Sequence, residues 1–208
     1  MKVIEFAGMP RAGKTTAIEV MESLMKKDGA KVRLIYEGAR ISPLDKSDRY
    51  NYNAWSFHNT INRVLEARLD NYDFILIDRG VFDHVAFLKA IESQCAGRDM
   101  ISTEKYYLNF LNLQDQEILF TVDVEEAIRR ERKNKPVLGR VFEHDFLDNL
   151  SRAYYETANL FEVTKKREAI KLDGNGKLED NIQRIVSLTK KFMNLKGDSS
   201  NPETMYKV

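Results

Sequence analysis

The sequence predicts an α/β protein in which a five-stranded parallel sheet lies between two layers of helices. Short apolar runs of strand length alternate with segments of helical periodicity along the chain, the order from which parallel sheets are built. One run, Phe74-Ile75-Leu76-Ile77, is apolar at every position and ends in Asp78, as a strand covered on both faces reads. A third observation is local. Gly8-Met9-Pro10-Arg11-Ala12-Gly13-Lys14-Thr15 stands between the first strand-like run and the first helix-like one, where a glycine-rich turn carries the chain from strand into helix.

In chain order, Lys2–Ala7 reads as the first strand and Lys14–Lys27 as the first helix, closed by Asp28-Gly29. Val32–Tyr36 is the second strand, followed by a polar loop to about Asn51 that contains Pro43. Asn53–Leu69 carries Ala54, Phe57, Ile61, Val64, Leu65 and Leu69 at three-four spacing and predicts a helix. Phe74–Asp78 is the third strand, and Val81–Glu92 is helical. Thr103–Gln114 is a further helix capped by Ser102 or Thr103. Glu117–Val122 is the fourth strand, Val124–Lys133 an arginine-rich helix and Asp145–Lys165 a long helix. Ala169–Asp173 is the last strand and Lys177–Leu195 the last helix. Residues 1–196 are expected to form a single domain, with 197–208 a mobile polar tail.

Composition narrows the function. With 33 basic against 32 acidic residues and a formal charge of +1, nothing draws the chain to a nucleic-acid polymer or an anionic membrane. No apolar run approaches the ~20 residues needed to span a bilayer. The first strand begins at Lys2, which predicts that no leader precedes it. A single cysteine, Cys95, excludes an internal disulfide and predicts a reducing, cytoplasmic setting.

The loop Gly8–Thr15 has the spacing Gly-x-x-x-x-Gly-Lys-Thr of a P-loop. Its glycines let backbone N–H groups turn inward around an anion, and the helix beginning at Lys14 adds its positive end. Gly8, Arg11, Ala12, Gly13, Lys14, Thr15 and Thr16 are therefore the candidate ATP-binding residues. Lys14 is placed to reach the outer phosphates, and the Thr15 hydroxyl to bind Mg²⁺. The fold class becomes a P-loop NTPase three-layer sandwich.

In such a sheet the chemistry lies beyond the carboxyl ends of the strands. Asp78 ends the third strand and is the candidate second metal ligand or proton acceptor. Arg79 can pair with an anionic acceptor or the moving phosphoryl group. Glu37, after the second strand, is a candidate general base, and Arg40 a candidate anion contact. Arg129–Arg140 holds several basic residues around Pro136 and Gly139 and predicts a lid over about 129–143 that closes on polyphosphate, with Arg132 and then Arg129 its active members. Tyr52, Trp55, Phe57 and His58 cluster near the start of the second helix. Trp55 and Phe57 are candidates to stack on a planar base, with His58 on its edge. His84 and His144 have no metal-type spacing and receive no role.

At these residues the chain resembles the thymidylate kinase-like nucleotide kinases, with the deoxynucleoside kinases as close relatives. Glu5 to Thr16 resembles that family's loop, including an arginine at Arg11. Asp78-Arg79 resembles its Asp-Arg pair, and Arg140-Val141-Phe142-Glu143 with Asp145-Phe146-Leu147 and Ala153-Tyr154-Tyr155 resembles its lid exit and following helix. The resemblance implies that Lys14, Thr15, Asp78, Arg79 and the lid arginines serve ATP and the phosphoryl group, and places Glu37 where deoxynucleoside kinases keep their base. It departs at Pro10, where thymidylate kinases usually carry the acid that meets the deoxyribose, at Gly80 in place of tyrosine, and near His58 or Asn59, where they carry a base-binding arginine. The expected activity is ATP-dependent, Mg²⁺-assisted phosphoryl transfer to a nucleoside monophosphate, thymidylate-like. A nucleoside or other small-metabolite kinase using a carboxylate base is the alternative, and a regulatory P-loop ATPase the second alternative. The resemblance also admits a homodimer through Ala54, Ile61, Leu65, Val85 and Leu88.

Overall fold

The computed structural model describes residues 1–38, 41–133 and 143–198. Strand β1 (Lys2–Gly8) leads through the loop into α1 (Lys14–Lys27), followed by β2 (Val32–Ile35), α2 (Arg49–Ala67) and β3 (Phe74–Asp78). Then come α3 (Val81–Ala90), α4 (Met100–Leu108), β4 (Gln116–Thr121), α5 (Val124–Lys133), α6 (His144–Lys165), β5 (Ile170–Asp173) and α7 (Leu178–Asp198). The five strands form one sheet in the order β2-β3-β1-β4-β5, every pair parallel. Because β1 is central and flanked by β3 and β4, the loop after β1, the end of β3 and the end of β4 open on the same edge. That adjacency is what gathers the site.

Side chains alternate across the sheet. Ile75 and Ile77 of β3 join Val3, Ile35 and α2's Val64 and Ala67 in one cluster. Phe74 and Leu76 turn the other way, into the larger core with Ile4, Phe6 and α1's Ile18, Met21 and Met25. Helix α1 packs on α7, and α3 on α6. No helix of the described residues is long and apolar enough to cross a membrane.

Several element boundaries differ from expectation, and those of α2 and α4 have a visible cause. Helix α2 begins at Arg49, because the Asp48 side chain accepts from the Asn51 N–H and caps it one turn before the apolar pattern starts. Helix α4 begins at Met100, and Asp99, not Ser102 or Thr103, is its cap, accepting from the Ser102 N–H. It also stops at Leu108, giving way to a separate 3₁₀ turn over Leu111–Leu113. Ile61, Val85 and Leu88, which a dimer face and a monomer core explain equally well in the sequence, are buried in the chain's own core, whereas Leu65 is exposed. Cys95 is half-buried.

Candidate functional site

The glycines of the loop are there for backbone reasons. Gly8 has φ of 130° and Gly13 of 100°. A Cβ on Gly8 would stand 2.0 Å from the Phe120 carbonyl oxygen of the neighbouring strand, a collision with backbone that nothing nearby can relieve. Lys14 is the first residue of α1, and its Nζ folds back to donate to the Gly8 and Met9 carbonyls, each at 2.8 Å. Burial lowers its pKa to about 8, and the neighbouring Arg79 pushes the same way. An ammonium held in this manner is poised to exchange carbonyl partners for phosphate oxygens. Thr15 and Thr16 follow it, exposed. The cavity over the loop, about 380 Å³, is lined by residues 10–16 with Glu37, Asp78, Arg79 and Glu131.

The second element is the turn from β3 into α3. Arg79 adopts φ of 66°, a conformation uncommon for a residue with a Cβ. The turn is held by charge. The Arg79 guanidinium donates through Nη1 to both Asp83 oxygens at 3.0 and 2.8 Å, and its Nε lies 3.2 Å from Glu37 Oε2. Asp83, buried, also accepts from the Tyr154 hydroxyl at 2.6 Å and from the Gly8 N–H at 3.1 Å. Its carboxyl is lowered, despite its burial, by Arg79 and Lys14. Beneath the turn, Glu5 accepts from the N–H groups of Gly80, Phe82 and Asp83 at 2.7, 3.1 and 2.9 Å and from the Gln114 amide. Burial raises Glu5 to about 8, while the three N–H groups at the start of α3 favour its ionised form. Asp78 is likewise raised, by burial, with Lys14 and Arg79 opposing.

A second cavity, of about 120 Å³, adjoins the first. Pro10, Glu37, Lys46, Arg49, Tyr52, Asn53, Ser56, Arg79, Asp83, His84, Phe87 and Leu150 line it. Pro10, Glu37 and Arg79 line both cavities. Helix α2 presents Arg49, Tyr52, Asn53 and Ser56, at three-four spacing, as the wall. Phe57 and His58, expected to touch a planar ligand, are turned elsewhere. Phe57 is fully buried and stacks on Tyr107 at 3.7 Å between ring centroids. His58 is exposed, its Nδ1 2.7 Å from the Ala54 carbonyl. Trp55 does not line the cavity; its ring flanks Gly38. Each residue turns the helix by about 100°, so Phe57 leaves the wall that Ser56 joins.

The arginines of α5 divide in the same way. Arg129 pairs with Glu126 through Nε and Nη2 at 2.5 and 2.6 Å on the exposed side, and Arg132 is exposed. It is Arg130 that reaches the loop, donating to the Arg11 carbonyl at 3.1 Å and to the Gly174 carbonyl at 2.8 Å. Arg11 in turn pairs with Glu131. Arg40 and lid residues 134–142 lie outside the described residues.

The sequence reading thus missed Asp83, Glu5, His84 and Arg130. A signal existed for the α2 wall, because polar Arg49, Asn53, Ser56 and Thr60 form one buried stripe. Glu5 is an acid inside an otherwise apolar strand, which asks for a buried partner. For Mg²⁺ the donor set fits. The Thr15 hydroxyl and the Asp78 carboxylate line the loop cavity and are hard oxygen donors, and Mg²⁺ takes one or two protein ligands beside phosphate and water.

No family model matches the sequence, and no curated protein matches it. Among solved structures the chain is similar to deoxyadenosine kinase from M. mycoides with bound dATP. The TM-score is 0.67, the identity 18%, and the match covers 90% of this chain and 99% of that one. At that identity the likeness is one of fold alone, a five-stranded parallel sheet with helices, and it does not single out the thymidylate kinases.

Proposed function

We propose that this protein transfers the γ-phosphoryl group of ATP to a hydroxyl of a nucleoside-class small molecule. The observation that carries this reading is the seam between the two cavities. Glu37 and Arg79, paired at 3.2 Å, line both the loop cavity and the inner one. A carboxylate at that seam suits a hydroxyl nucleophile, which must lose a proton as it attacks. The bound dATP of the similar deoxyadenosine kinase supports the same class of ligand here.

The geometry supports the following division of labour. The loop N–H groups and Lys14 hold the β- and γ-phosphates. Mg²⁺ at Thr15 and Asp78 would neutralise charge on the phosphates. Glu37 takes the proton of the attacking hydroxyl. Arg79, anchored by Asp83, faces the transferring group with its remaining N–H donors and holds Glu37 in place. Positioning and charge neutralisation account for such a reaction with little covalent work by the protein. A monophosphate acceptor, thymidylate among them, is the second reading. It is favoured by Lys46 and Arg49 in the inner cavity's lining.

Direct measurement of product from Mg-ATP and a panel of nucleosides and nucleoside monophosphates tests the proposal. Glu37→Gln should lower kcat by about 10²-fold or more with a nucleoside acceptor. A near-normal rate removes Glu37 as the base. Transfer confined to monophosphates moves the case to the second reading.

A further inference from the structure

The spacing of His84 in the sequence points to no role, yet the residue is buried and contributes to the wall of the inner cavity. Its hydrogen bonds fix its chemical form. Asn53 on α2 meets it twice: the Asn53 Nδ2 donates to the His84 backbone carbonyl at 3.1 Å, and the Asn53 Oδ1 lies 2.9 Å from the ring Nδ1. A backbone carbonyl can only accept, so the amide nitrogen must face it and the amide oxygen must face the ring. Nδ1 therefore carries the hydrogen. Burial keeps the ring neutral, lowering its pKa to about 4 against the opposing pull of Asp83 and Glu37. In a neutral ring with hydrogen on Nδ1, Nε2 is a bare acceptor. That atom is buried and has no hydrogen-bond partner among the described residues. Phe57, edge-on to the imidazole with centroids 6.0 Å apart, packs against the ring.

A buried acceptor without a partner is costly, and the place of His84 in the lining of the inner cavity offers a reason for it. We infer that His84 Nε2 is a specificity-determining acceptor: the small molecule bound in the inner cavity must present an N–H or O–H donor to it. This rests on the nucleoside reading above and sharpens it. Two parts of a nucleoside carry such a donor, the edge of the base and the sugar hydroxyls. Asn53 is a positioning residue for this contact, because it sets which ring nitrogen holds the hydrogen.

Pairs of ligands that differ only in their donors, one on the base or both ring hydroxyls of the sugar, provide the test. For the base they are adenosine with purine riboside, cytidine with pyrimidin-2-one riboside, and thymidine with its 3-deaza analogue. For the sugar they are the 2′,3′-dideoxy forms of adenosine and cytidine. Each is measured by titration calorimetry and by direct detection of product, with the wild-type protein and with His84→Leu. In the wild type, deleting the matching donor should lower kcat/KM by roughly tenfold to a hundredfold, mainly through KM. His84→Leu should treat both members of that pair within about twofold. Loss in the base pairs assigns the donor to the base, and loss in the dideoxy pairs to the sugar. The inference is overturned if the wild type treats every pair alike, a comparison that needs no variant to fold, or if His84→Leu keeps the discrimination. Failure to bind or phosphorylate any nucleoside overturns the proposed function and this inference together. Phosphorylation that ignores the donors overturns this inference alone.

Discussion

Lys14 is where burial and charge act on each other most directly. Its ordinary pKa of 10.5 falls to about 8 in the fold, chiefly through burial. Between those values the unfolded chain holds a proton that the folded chain has lost, so Lys14 makes stability rise with pH over that window. Polyphosphate favours the ammonium, and binding must raise the pKa again. ATP affinity should therefore fall as pH climbs above about 8, and binding there should take up a proton. Titration calorimetry in two buffers of different ionisation enthalpy reads that proton directly. Identical heats in both buffers, after correction, would count against it. Asp83 is the other residue whose removal should be felt. Asp83→Ala leaves the Arg79 guanidinium with Glu37 alone as carboxylate partner and deprives the Tyr154 hydroxyl of its short hydrogen bond. Breaking a buried pair on one side costs about 3–5 kcal/mol, measurable as a lower midpoint in urea.

At the scale of elements, the inner cavity depends on the first turn of α2, which supplies Arg49, Tyr52 and Asn53. Asp48 caps that turn. Asp48→Ala should cost about 1 kcal/mol and speed amide exchange in the first turn of α2 before the rest of the helix. Uniform exchange along α2 would show that the cap does not govern the turn. Helices α5 and α6 are tied on the surface by His144, whose Nε2 lies 2.8 Å from Glu125 and Nδ1 2.9 Å from Asp148. Two carboxylate partners need two N–H donors, which only the imidazolium has. Its pKa is raised, chiefly by the hydrogen bond to Glu125 and the charge of Asp148. A folded value above the unfolded 6.5 means the tie is complete below 6.5 and is lost as pH rises through the raised value. The His144 ring resonance, followed by NMR, should titrate above 6.5. A midpoint at or below 6.5 refutes the tie.

For the whole molecule, the parallel order β2-β3-β1-β4-β5 places the loop, Glu37 and the Asp78-Arg79 turn on one edge although 71 residues separate Gly8 from Arg79. A ligand seated there touches several elements at once and should stabilise the fold as a unit. At a hundred times its Kd, Mg-ATP should add about 2.7 kcal/mol, a rise in Tm of roughly 5–10 °C for a chain of this size. Replacing Mg²⁺ with EDTA should shrink that rise if Thr15 and Asp78 hold the ion. An unchanged rise would remove the metal role from them. Burial of Ile61, Val85 and Leu88 places in the core three side chains that a subunit face and a monomer core explain equally well in the sequence.

What was legible in the sequence was whatever contiguous residues encode. The loop Gly8–Thr15 names its own backbone geometry, because Gly8 and Gly13 occupy conformations that a Cβ resists. Phe74–Asp78 declares a strand buried on both faces, and α1 runs from Lys14 to Lys27 in sequence and structure alike. Only the tertiary structure decided how each helix is rotated about its axis. Adjacent residues point about 100° apart, so Asn53 and Ser56 face the cavity while Phe57 enters the core, and Arg130 reaches the loop while Arg129 and Arg132 lie on the exposed side. Local sequence also carries no mark of pairings made across the fold. Glu5 under the start of α3, Asp83 against Gly8 and Tyr154, and Asn53 against His84 are 31 to 78 residues apart. They exist because the sheet brings those segments together and burial leaves each polar group no solvent to turn to.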